Sequence, residues 1–230
     1  MSRAELGTVI VTGGASGLGA AVVEAVAGGG GTPVVLDLAP PRDGVDHELV
    51  DLSRTREAER AVERAARRHG GIDALVTAAG TDACGRLDQV EAELWERVVA
   101  VNLLGTAAVV RAALPWLERS RGRVVTVSST LGLRALSDAT AYCASKFGVI
   151  GFSRALAVET AGRVGVTTII PGGMRTAFFD GRPEQYKPPP EAPLAPPEEV
   201  AGTVLFALTR PDGTEMRELV VCTAGEPTWP

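Results

Sequence analysis

Short β-branched runs alternate with longer stretches of helical periodicity along this chain, and this alternation most constrains its fold. The runs that predict strands are residues 8–12, 33–38, 49–52, 73–77, 123–128, 165–170 and 219–222. The stretches that predict helices are residues 18–27, 55–69, 91–114, 139–160 and 198–208, the third of them bent near 102–103. Strands that are apolar almost throughout are typical of a parallel sheet with helices on both faces. The pattern predicts one α/β domain over residues 1–230, with a doubly wound parallel sheet of about seven strands.

The charge and cysteine content exclude several kinds of function. The chain carries 23 Lys+Arg against 28 Asp+Glu, and its most basic stretch alternates with glutamates as a solvated helix face does, so we expect no nucleic-acid partner. Cys84, Cys143 and Cys222 lack the spacing of a zinc site or a disulfide framework, which predicts no metal and reduced thiols in the cytoplasm. We expect neither a signal peptide nor a run of membrane-spanning length, and hence no membrane partner.

A glycine-rich turn joins the first predicted strand to the first predicted helix. Gly13, Gly17 and Gly19 allow the backbone to turn tightly and to approach a pyrophosphate, while the start of the helix supplies free N–H groups. A Rossmann-like fold binds its dinucleotide at this position in the sheet. The alternative is a tight connection without a ligand.

An acidic residue near the end of the second predicted strand indicates which dinucleotide is bound. Asp37 follows Gly13 by 24 residues, and a carboxylate there accepts hydrogen bonds from the ribose hydroxyls and repels a 2′-phosphate. We therefore predict NAD as the cofactor, with NADP less favoured; Arg42 is the nearby cation that could reverse this preference. Asp51 either contacts the adenine or caps the following helix.

The rarest residues of the chain concentrate around one segment. Asn102 is the only asparagine, and Tyr142 and Lys146 are one each of only two tyrosines and two lysines. Residues four apart share a helix face, so the Lys146 ammonium can stabilise the Tyr142 phenolate near neutral pH. Ser129 lies thirteen residues upstream of Tyr142. Alone, the Tyr–Lys pair is weak evidence, because most such pairs are ordinary helix surface.

Together these motifs resemble the short-chain dehydrogenase/reductase family in its compact single-domain form. The glycine-rich turn at 12–19, Asn102, Ser129, the Tyr142–Lys146 pair and the segment 171–176 occur in the family's order and at its distances, over about residues 5–223. The resemblance implies an oxidoreductase that transfers a hydride between a nicotinamide cofactor and a secondary alcohol or ketone.

The resemblance also implies a role for each matching residue. Tyr142 would exchange a proton with the substrate oxygen, and Lys146 would lower the Tyr142 pKa and bind the nicotinamide ribose. Ser129 would hydrogen-bond the substrate, and Asn102 would hold a water that links Lys146 to solvent. The residues expected to contact the cofactor are Gly13, Ser16, Gly17, Leu18, Gly19, Asp37, Asp51, Leu52, Ala79, Gly80, Tyr142, Lys146, Pro171, Gly172 and Thr176.

Two segments depart from the family pattern. The segment 77–80 reads Thr-Ala-Ala-Gly where the family usually has Asn-Asn-Ala-Gly, which removes amide contacts without touching the chemistry. The last strand leads into Thr-Ala-Gly, whereas the family's acyl-carrier-protein reductases usually have Asp-Gly-Gly there. This difference disfavours fatty-acid ketoreduction.

The remaining expectations concern the substrate and the assembly. Residues 177–197 are a short substrate loop or, equally well, an ordinary surface loop, and residues 224–230 form a tail. The helix after Tyr142 is apolar on several sides, and family members commonly pair this helix and the one at 91–114 across a two-fold axis, so we predict a homodimer or homotetramer.

The expected function is that of an NAD(H)-dependent oxidoreductase with Tyr142 as general acid/base and a small-molecule alcohol or ketone as substrate. The alternatives are an NADP(H)-dependent ketoreductase of a biosynthetic pathway and a non-catalytic NAD-binding regulator. Asp37 argues against the first, and the complete catalytic set argues against the second. Dehydration or epimerisation on the same residues is a further possibility.

Overall fold

The computed structural model describes residues 6–211 and 213–229, and these residues contain a seven-stranded sheet. Its strands are β1 Thr8–Thr12, β2 Thr32–Asp37, β3 Asp46–Leu49, β4 Ala74–Thr77, β5 Arg123–Val127, β6 Gly165–Pro171 and β7 Glu218–Val221. They lie in the order β3-β2-β1-β4-β5-β6-β7, and every neighbouring pair is parallel. The predicted doubly wound α/β fold is confirmed.

Helices cover both faces of this sheet. They are α1 Gly17–Gly28, α2 Thr55–His69, α3 Ala92–Val99, α4 Thr106–Ser120, α5 Thr140–Glu159 and α6 Pro197–Leu208. Because side chains alternate along a strand, Ile10 of β1 packs with the layer of α2, α4 and α5, whereas Val9 and Val11 pack with α1 and α6. Each such fully buried side chain stabilises the fold by about 1.5–3 kcal/mol.

The third strand lies earlier than the sequence predicted. Residues 49–52 were expected to form it, but β3 is Asp46–Leu49, an edge strand whose side chains are alternately exposed. The apolar pattern that suggested the later position has another cause: Val50 and Leu52 leave the sheet and are buried against the core of the α2 layer.

The long helical stretch is interrupted where Asn102 lies, as predicted, but it extends further than predicted. A π-helical segment, Ala100–Gly105, separates α3 from α4. The predicted end at Leu114 is wrong, because α4 continues through Pro115 to Ser120. Buried Leu117 explains this continuation, since its packing in the core offsets the hydrogen bond that Pro115 cannot donate.

The combined helix Ala92–Ser120 is long and apolar enough, by length and composition, to cross a membrane. Its 29 residues include a window with a mean hydropathy of 1.7, so the expectation that no run reaches this length is wrong. A single helix of this kind is weak evidence for a membrane, because core helices pass the same test. In this fold Val109, Ala113 and Leu117 of α4 pack in the protein core.

The order of the strands indicates where on the sheet a ligand would bind. β1 pairs with β2 on one side and with β4 on the other, so the chain reverses its direction of winding between β1 and β4. Ligands of such sheets bind in the crevice at the carboxyl ends of the strands next to this reversal.

Candidate active site

The turn between β1 and α1 has the geometry of a phosphate-binding loop. Gly13 has a φ of 71°, and a Cβ atom there would lie 2.7 Å from the Cα atom of Ala79, so only glycine fits. A Cβ atom on Gly19 would overlap the carbonyl oxygen of Gly13. Gly17, with a φ of 51°, begins α1. The start of α1 lines a large cavity, where a pyrophosphate would meet free N–H groups.

Asp37 ends β2 and lies beside this turn. Its Oδ2 atom accepts a hydrogen bond from the Ala15 N–H at 2.9 Å, and its Oδ1 atom accepts one from the Ala39 N–H at 3.2 Å. Arg42 forms an ion pair with Glu24 at 2.7 Å. The carboxylate is therefore held at the cavity, while Arg42, the cation close in sequence that could favour a 2′-phosphate, already has a carboxylate partner.

Asp51 and Leu52 form the wall next to Asp37. Asp51 accepts hydrogen bonds from the N–H and O–H groups of Ser53, at 2.9 and 2.7 Å, and pairs with Arg97 at 3.2 Å. Burial alone would raise the pKa of Asp51, but these hydrogen bonds and the Arg97 charge hold the pKa below its usual value. Asp51 thus orders the turn before α2 and also lines the cavity.

The departure at 77–80 changes the contacts at the end of β4. Ala79 donates its N–H to the Thr12 hydroxyl at 3.2 Å. The hydroxyl oxygen of Thr77 is buried and, within the described residues, has no hydrogen-bond partner. A Cβ atom on Gly80 would lie 3.5 Å from Asn102 Oδ1 and 3.7 Å from Lys146 Nζ, so this backbone passes directly beside two of the predicted catalytic residues.

Asn102 is buried in the π-helical segment and is fully hydrogen-bonded. Its Nδ2 group donates to the Thr81 carbonyl at 2.9 Å and to Ser145 Oγ at 3.0 Å, and its Oδ1 atom accepts the Thr81 N–H at 2.8 Å. Its backbone carbonyl accepts the Thr106 hydroxyl at 2.8 Å. The side chain therefore ties the loop after β4 to α5.

Tyr142 and Lys146 lie on one face of α5. The Lys146 ammonium is 5.5 Å from the centroid of the Tyr142 ring and donates to the Val127 carbonyl at 3.0 Å. Burial lowers the pKa of Lys146 to about 8. Burial raises the pKa of Tyr142 to about 12, against the opposite effect of a hydrogen bond with Ser129. Both environments favour the neutral side chain.

Ser129 follows β5 in an extended conformation, facing the same region. Its Oγ atom accepts the Leu131 N–H at 3.1 Å, which orients the hydroxyl. Ser128 donates its hydroxyl to the Lys146 carbonyl at 2.9 Å. These bonds fasten the end of β5 to α5, so Ser129 and Tyr142 keep a fixed relative position.

The loop after β6 completes the cofactor side of the cavity. Pro171 ends β6, and Gly172 donates its N–H to the Val221 carbonyl at 3.0 Å. The Thr176 side chain is 3.5 Å from the position of a Cβ atom on Gly17. The predicted phosphate-binding turn and the loop predicted to bind the nicotinamide therefore lie next to each other at the cavity.

The segment after Thr176 is ordered over the active site. The Phe178 ring lies 5.8 Å from the Tyr142 ring, centroid to centroid. Arg182 stacks 5.1 Å from the Phe178 ring and forms an ion pair with Asp82 at 2.7 Å. The Asp82 side chain is only 7% exposed and that of Arg182 19% exposed. Sequence reasoning placed Arg182 only within the candidate substrate loop, and it did not indicate Asp82.

The tail after β7 also reaches the cavity, which the sequence analysis missed. Glu226 accepts hydrogen bonds from the Gly173 N–H at 2.8 Å and from the Thr228 N–H and O–H groups at 3.1 and 2.5 Å. The hydroxyls of Thr228 and Thr130 lie 2.6 Å apart. No sequence signal indicates the contacts with Gly173 and Thr130, because they join residues distant in the chain. Pro230, the last residue of the predicted tail, lies outside the described residues.

One cavity of about 730 Å³ joins these groups. Every predicted catalytic and cofactor residue lines it except Asn102, which lies behind Gly80. The cavity thus combines a glycine-rich turn, the carboxylate of Asp37 and the hydroxyl groups of Ser129 and Tyr142, which are groups that suit a nicotinamide dinucleotide and its substrate. Within the described residues no group of three or more His, Cys, Asp or Glu side chains could hold a metal.

Comparison with known proteins agrees with this geometry. The sequence profile of the short chain dehydrogenases matches residues 7–187. The chain is 31% identical to "3-oxoacyl-[acyl-carrier-protein] reductase FabG" of Thermotoga maritima, over 89% of this chain and 91% of that protein. It is 34% identical to "D-threitol dehydrogenase" of Mycolicibacterium smegmatis, over 86% of this chain and 84% of that protein.

A solved structure shares the fold over nearly the whole chain. The ligand-free aldohexose dehydrogenase of Thermoplasma acidophilum superposes with a TM-score of 0.86 at 26% identity, over 94% of this chain and 92% of that chain. The chain belongs to the short-chain dehydrogenase/reductase family and is an NAD(P)-dependent oxidoreductase that acts on CH–OH or C=O groups.

Proposed function

We propose that this protein transfers a hydride between NAD(H) and a secondary alcohol or ketone, with Tyr142 as the general acid/base. The observation that carries the proposal is the convergence of Tyr142, buried Lys146 and Ser129 on one cavity that also contains the glycine turn and Asp37. The nicotinamide, when bound, supplies or accepts the hydride. The residues of the chain bind, orient and move the proton.

Tyr142 exchanges the proton with the substrate oxygen. Because burial raises the pKa of Tyr142 to about 12, the resting side chain is a neutral phenol, ready to protonate a carbonyl oxygen during reduction. Oxidation requires the phenolate instead. A positive charge on Lys146 and on the oxidised nicotinamide lowers the cost of forming it.

The side chain of Lys146 loses its proton within the pH range in which most enzymes work. Burial lowers its pKa to about 8, so the ammonium predominates below pH 8 and the free amine above it. Its hydrogen bond to Val127 holds the amine beside the Tyr142 ring. The lysine can therefore pass a proton on rather than only supply a fixed charge.

Ser129 and Asn102 position this pair. The Ser129 hydroxyl, oriented by the Leu131 N–H, is available to hydrogen-bond the substrate oxygen. Asn102 fixes the loop at Gly80 and Thr81 against α5 through the hydrogen bonds of its side chain. A water held by Asn102 that links Lys146 to solvent stays a prediction.

The preference for NAD over NADP rests on Asp37. Its carboxylate lines the cavity, where it would accept hydrogen bonds from the ribose hydroxyls and would repel a 2′-phosphate. Arg42, the cation that could reverse the preference, pairs with Glu24 instead. The other predicted contacts, from Gly13 to Thr176, line the remainder of the cavity.

We also propose a substrate class and a cellular location for this protein. The names D-threitol dehydrogenase and aldohexose dehydrogenase denote neutral, hydroxyl-rich substrates, which supports an alcohol or sugar-like substrate here. The 3-oxoacyl reductase relative supports the alternative of an NADP(H)-dependent ketoreductase. Cys84, Cys143 and Cys222 are all free thiols, in keeping with the cytoplasmic location that we expect.

The direct test compares turnover by the wild type and Tyr142→Phe on a panel of neutral secondary alcohols and ketones, with NAD(H). We expect kcat to fall by a factor of about 10² to 10⁴ in Tyr142→Phe, with the affinity for NADH within about threefold. Cys143→Ser, one residue along α5, is the control and should keep its activity. An active Tyr142→Phe variant would refute the role of the tyrosine.

A further inference from the structure

One carboxylate at the substrate end of the cavity has no cationic partner. Glu226 lines the cavity together with Ser129, Thr130 and Tyr142. Among the described residues, no lysine, arginine or histidine forms a salt bridge with it. Its neighbours are instead backbone N–H groups and a hydroxyl, none of which carries a net charge that would offset that of a carboxylate.

The position of this carboxylate is fixed. Three hydrogen bonds, one from Gly173 and two from Thr228, hold both of its oxygen atoms. The approach is so close that a Cβ atom on Gly172 would overlap Glu226 Oε2. Thr228 in turn contacts Thr130, the residue next to Ser129. The carboxylate is therefore held at the cavity wall, and the contact of Thr228 with Thr130 links it to the residue next to Ser129.

The cations near the substrate end are already engaged. Arg182 pairs with Asp82 at 2.7 Å, and Lys187 pairs with Glu184 at 2.8 Å. Lys146 donates to the Val127 carbonyl beneath the Tyr142 ring. An anionic substrate would thus meet the carboxylate of Glu226, while the largely buried guanidinium of Arg182 is held by Asp82.

We propose that Glu226 is a specificity-determining residue, whose fixed carboxylate admits neutral alcohols and ketones and rejects substrates that carry a carboxylate near the reacting carbon. This inference rests on the proposed function, because it assigns the substrate class of the same cavity. Like charges that share a partly water-excluded cavity repel, and we expect this repulsion to produce discrimination of at least about tenfold, equivalent to about 1.4 kcal/mol.

The test uses two ligands of equal size, 3-hydroxybutyramide and 3-hydroxybutyrate, which differ in charge. In the wild type, kcat/KM should favour the amide by at least about tenfold. In Glu226→Gln, which keeps the size of the side chain, the ratio should fall at least fivefold through a lower KM for the acid. Thr228→Val removes the hydroxyl contacts but keeps the charge, so it should affect both ligands alike and leave the ratio in place.

A binding measurement tests the role of Glu226 independently of the proposed hydride transfer. Saturation-transfer NMR on Tyr142→Phe, with and without NAD⁺, ranks the two ligands without turnover. Absence of NAD⁺ binding would refute the proposed function, while the comparison on the cofactor-free protein would still decide the role of Glu226. A wild type that prefers the acid, or a ratio that is equal in Glu226→Gln and the wild type, would overturn the inference.

Discussion

At the scale of single residues, burial determines the chemistry of the Tyr142–Lys146 pair. The same desolvation moves the two pKa values in opposite directions, to about 12 for Tyr142 and about 8 for Lys146. Groups whose environments separate their pKa values in this way are typical of acid–base sites. The four-residue spacing predicted that the two side chains would be neighbours, but it could not predict the lysine pKa, because that depends on burial by residues far away in sequence.

The buried lysine makes stability depend on pH. Its pKa falls from 10.5 to about 8 on folding, so below pH 8 the folded protein carries a buried ammonium that the unfolded chain would solvate. This costs about 3 kcal/mol. The cost is present below pH 8 and disappears as the pH rises from 8 to 10.5, where the unfolded chain binds more protons.

We therefore expect Lys146→Met to be more stable than the wild type at pH 7, by about 2 kcal/mol after the loss of the hydrogen bond to Val127. Urea unfolding of both proteins at pH 7 and pH 10.5 would measure this difference, which should shrink at the higher pH while the variant stays inactive. Lys187→Met, at the surface, is the control and should show no such gain. A difference that does not change with pH would contradict the burial argument.

At the scale of elements, the ion pair between Asp82 and Arg182 holds the segment 177–187 over Tyr142. It joins the loop after β4 to the segment after β6, and Arg182 also stacks on Phe178 and Phe179. Asp82 further accepts the Cys84 thiol at 3.2 Å, and burial beside this carboxylate raises the pKa of Cys84 to about 12. The segment is thus an ordered cover whose position depends on one pair of charges.

Asp82→Asn should loosen this cover. Removing one partner of a largely buried ion pair leaves a poorly solvated charge, and we expect a loss of about 2–3 kcal/mol in stability, together with a KM increase of at least tenfold. Hydrogen exchange should quicken in residues 177–187 and not in the central strands. Glu184→Gln, which breaks the exposed pair with Lys187, is the matched control, since exposed pairs contribute little. Equal effects of the two changes would contradict the role of Asp82.

The sequence predicted the helices and strands whose bounds follow from local pattern. It did not predict the bounds that depend on packing against residues distant in the chain. The apolar strands, the glycine turn and the break at Asn102 follow from local pattern and were predicted. The start of β3 and the end of α4 depended on burial of Val50 and Leu117 in the core, which a local reading cannot detect. The contacts of Glu226 and Asp82 connect residues 53 and 100 positions apart, so periodicity carries no information about them.

At the scale of the whole molecule, one chain supplies all the predicted site residues, and part of its surface is apolar. Leu94, Leu104 and Phe147 are 53%, 51% and 45% exposed, and they belong to α3, the π-helical segment and α5. Large apolar side chains grouped on one face mark interaction surfaces. We predict that these helices pair across a two-fold axis in a homodimer or homotetramer.

Phe147→Glu should disrupt this assembly, because it places a charge on the predicted interface. Light scattering coupled to gel filtration should show a mass reduced by at least half relative to the wild type. Leu49→Glu on the edge strand β3, where the side chain is 58% exposed against 45% for Phe147, should leave the mass unchanged. A wild type that is a monomer, or a Phe147→Glu variant of unchanged mass, would contradict the prediction.

The most direct measurement of the central claim is the separate titration of NADH and NADPH into the wild type and Asp37→Asn. The asparagine still accepts the hydrogen bond of Ala15, so the change removes charge and preserves the turn. The account predicts at least tenfold tighter binding of NADH by the wild type and loss of this preference in the variant. Tighter binding of NADPH by the wild type, or binding of neither nucleotide, would contradict it.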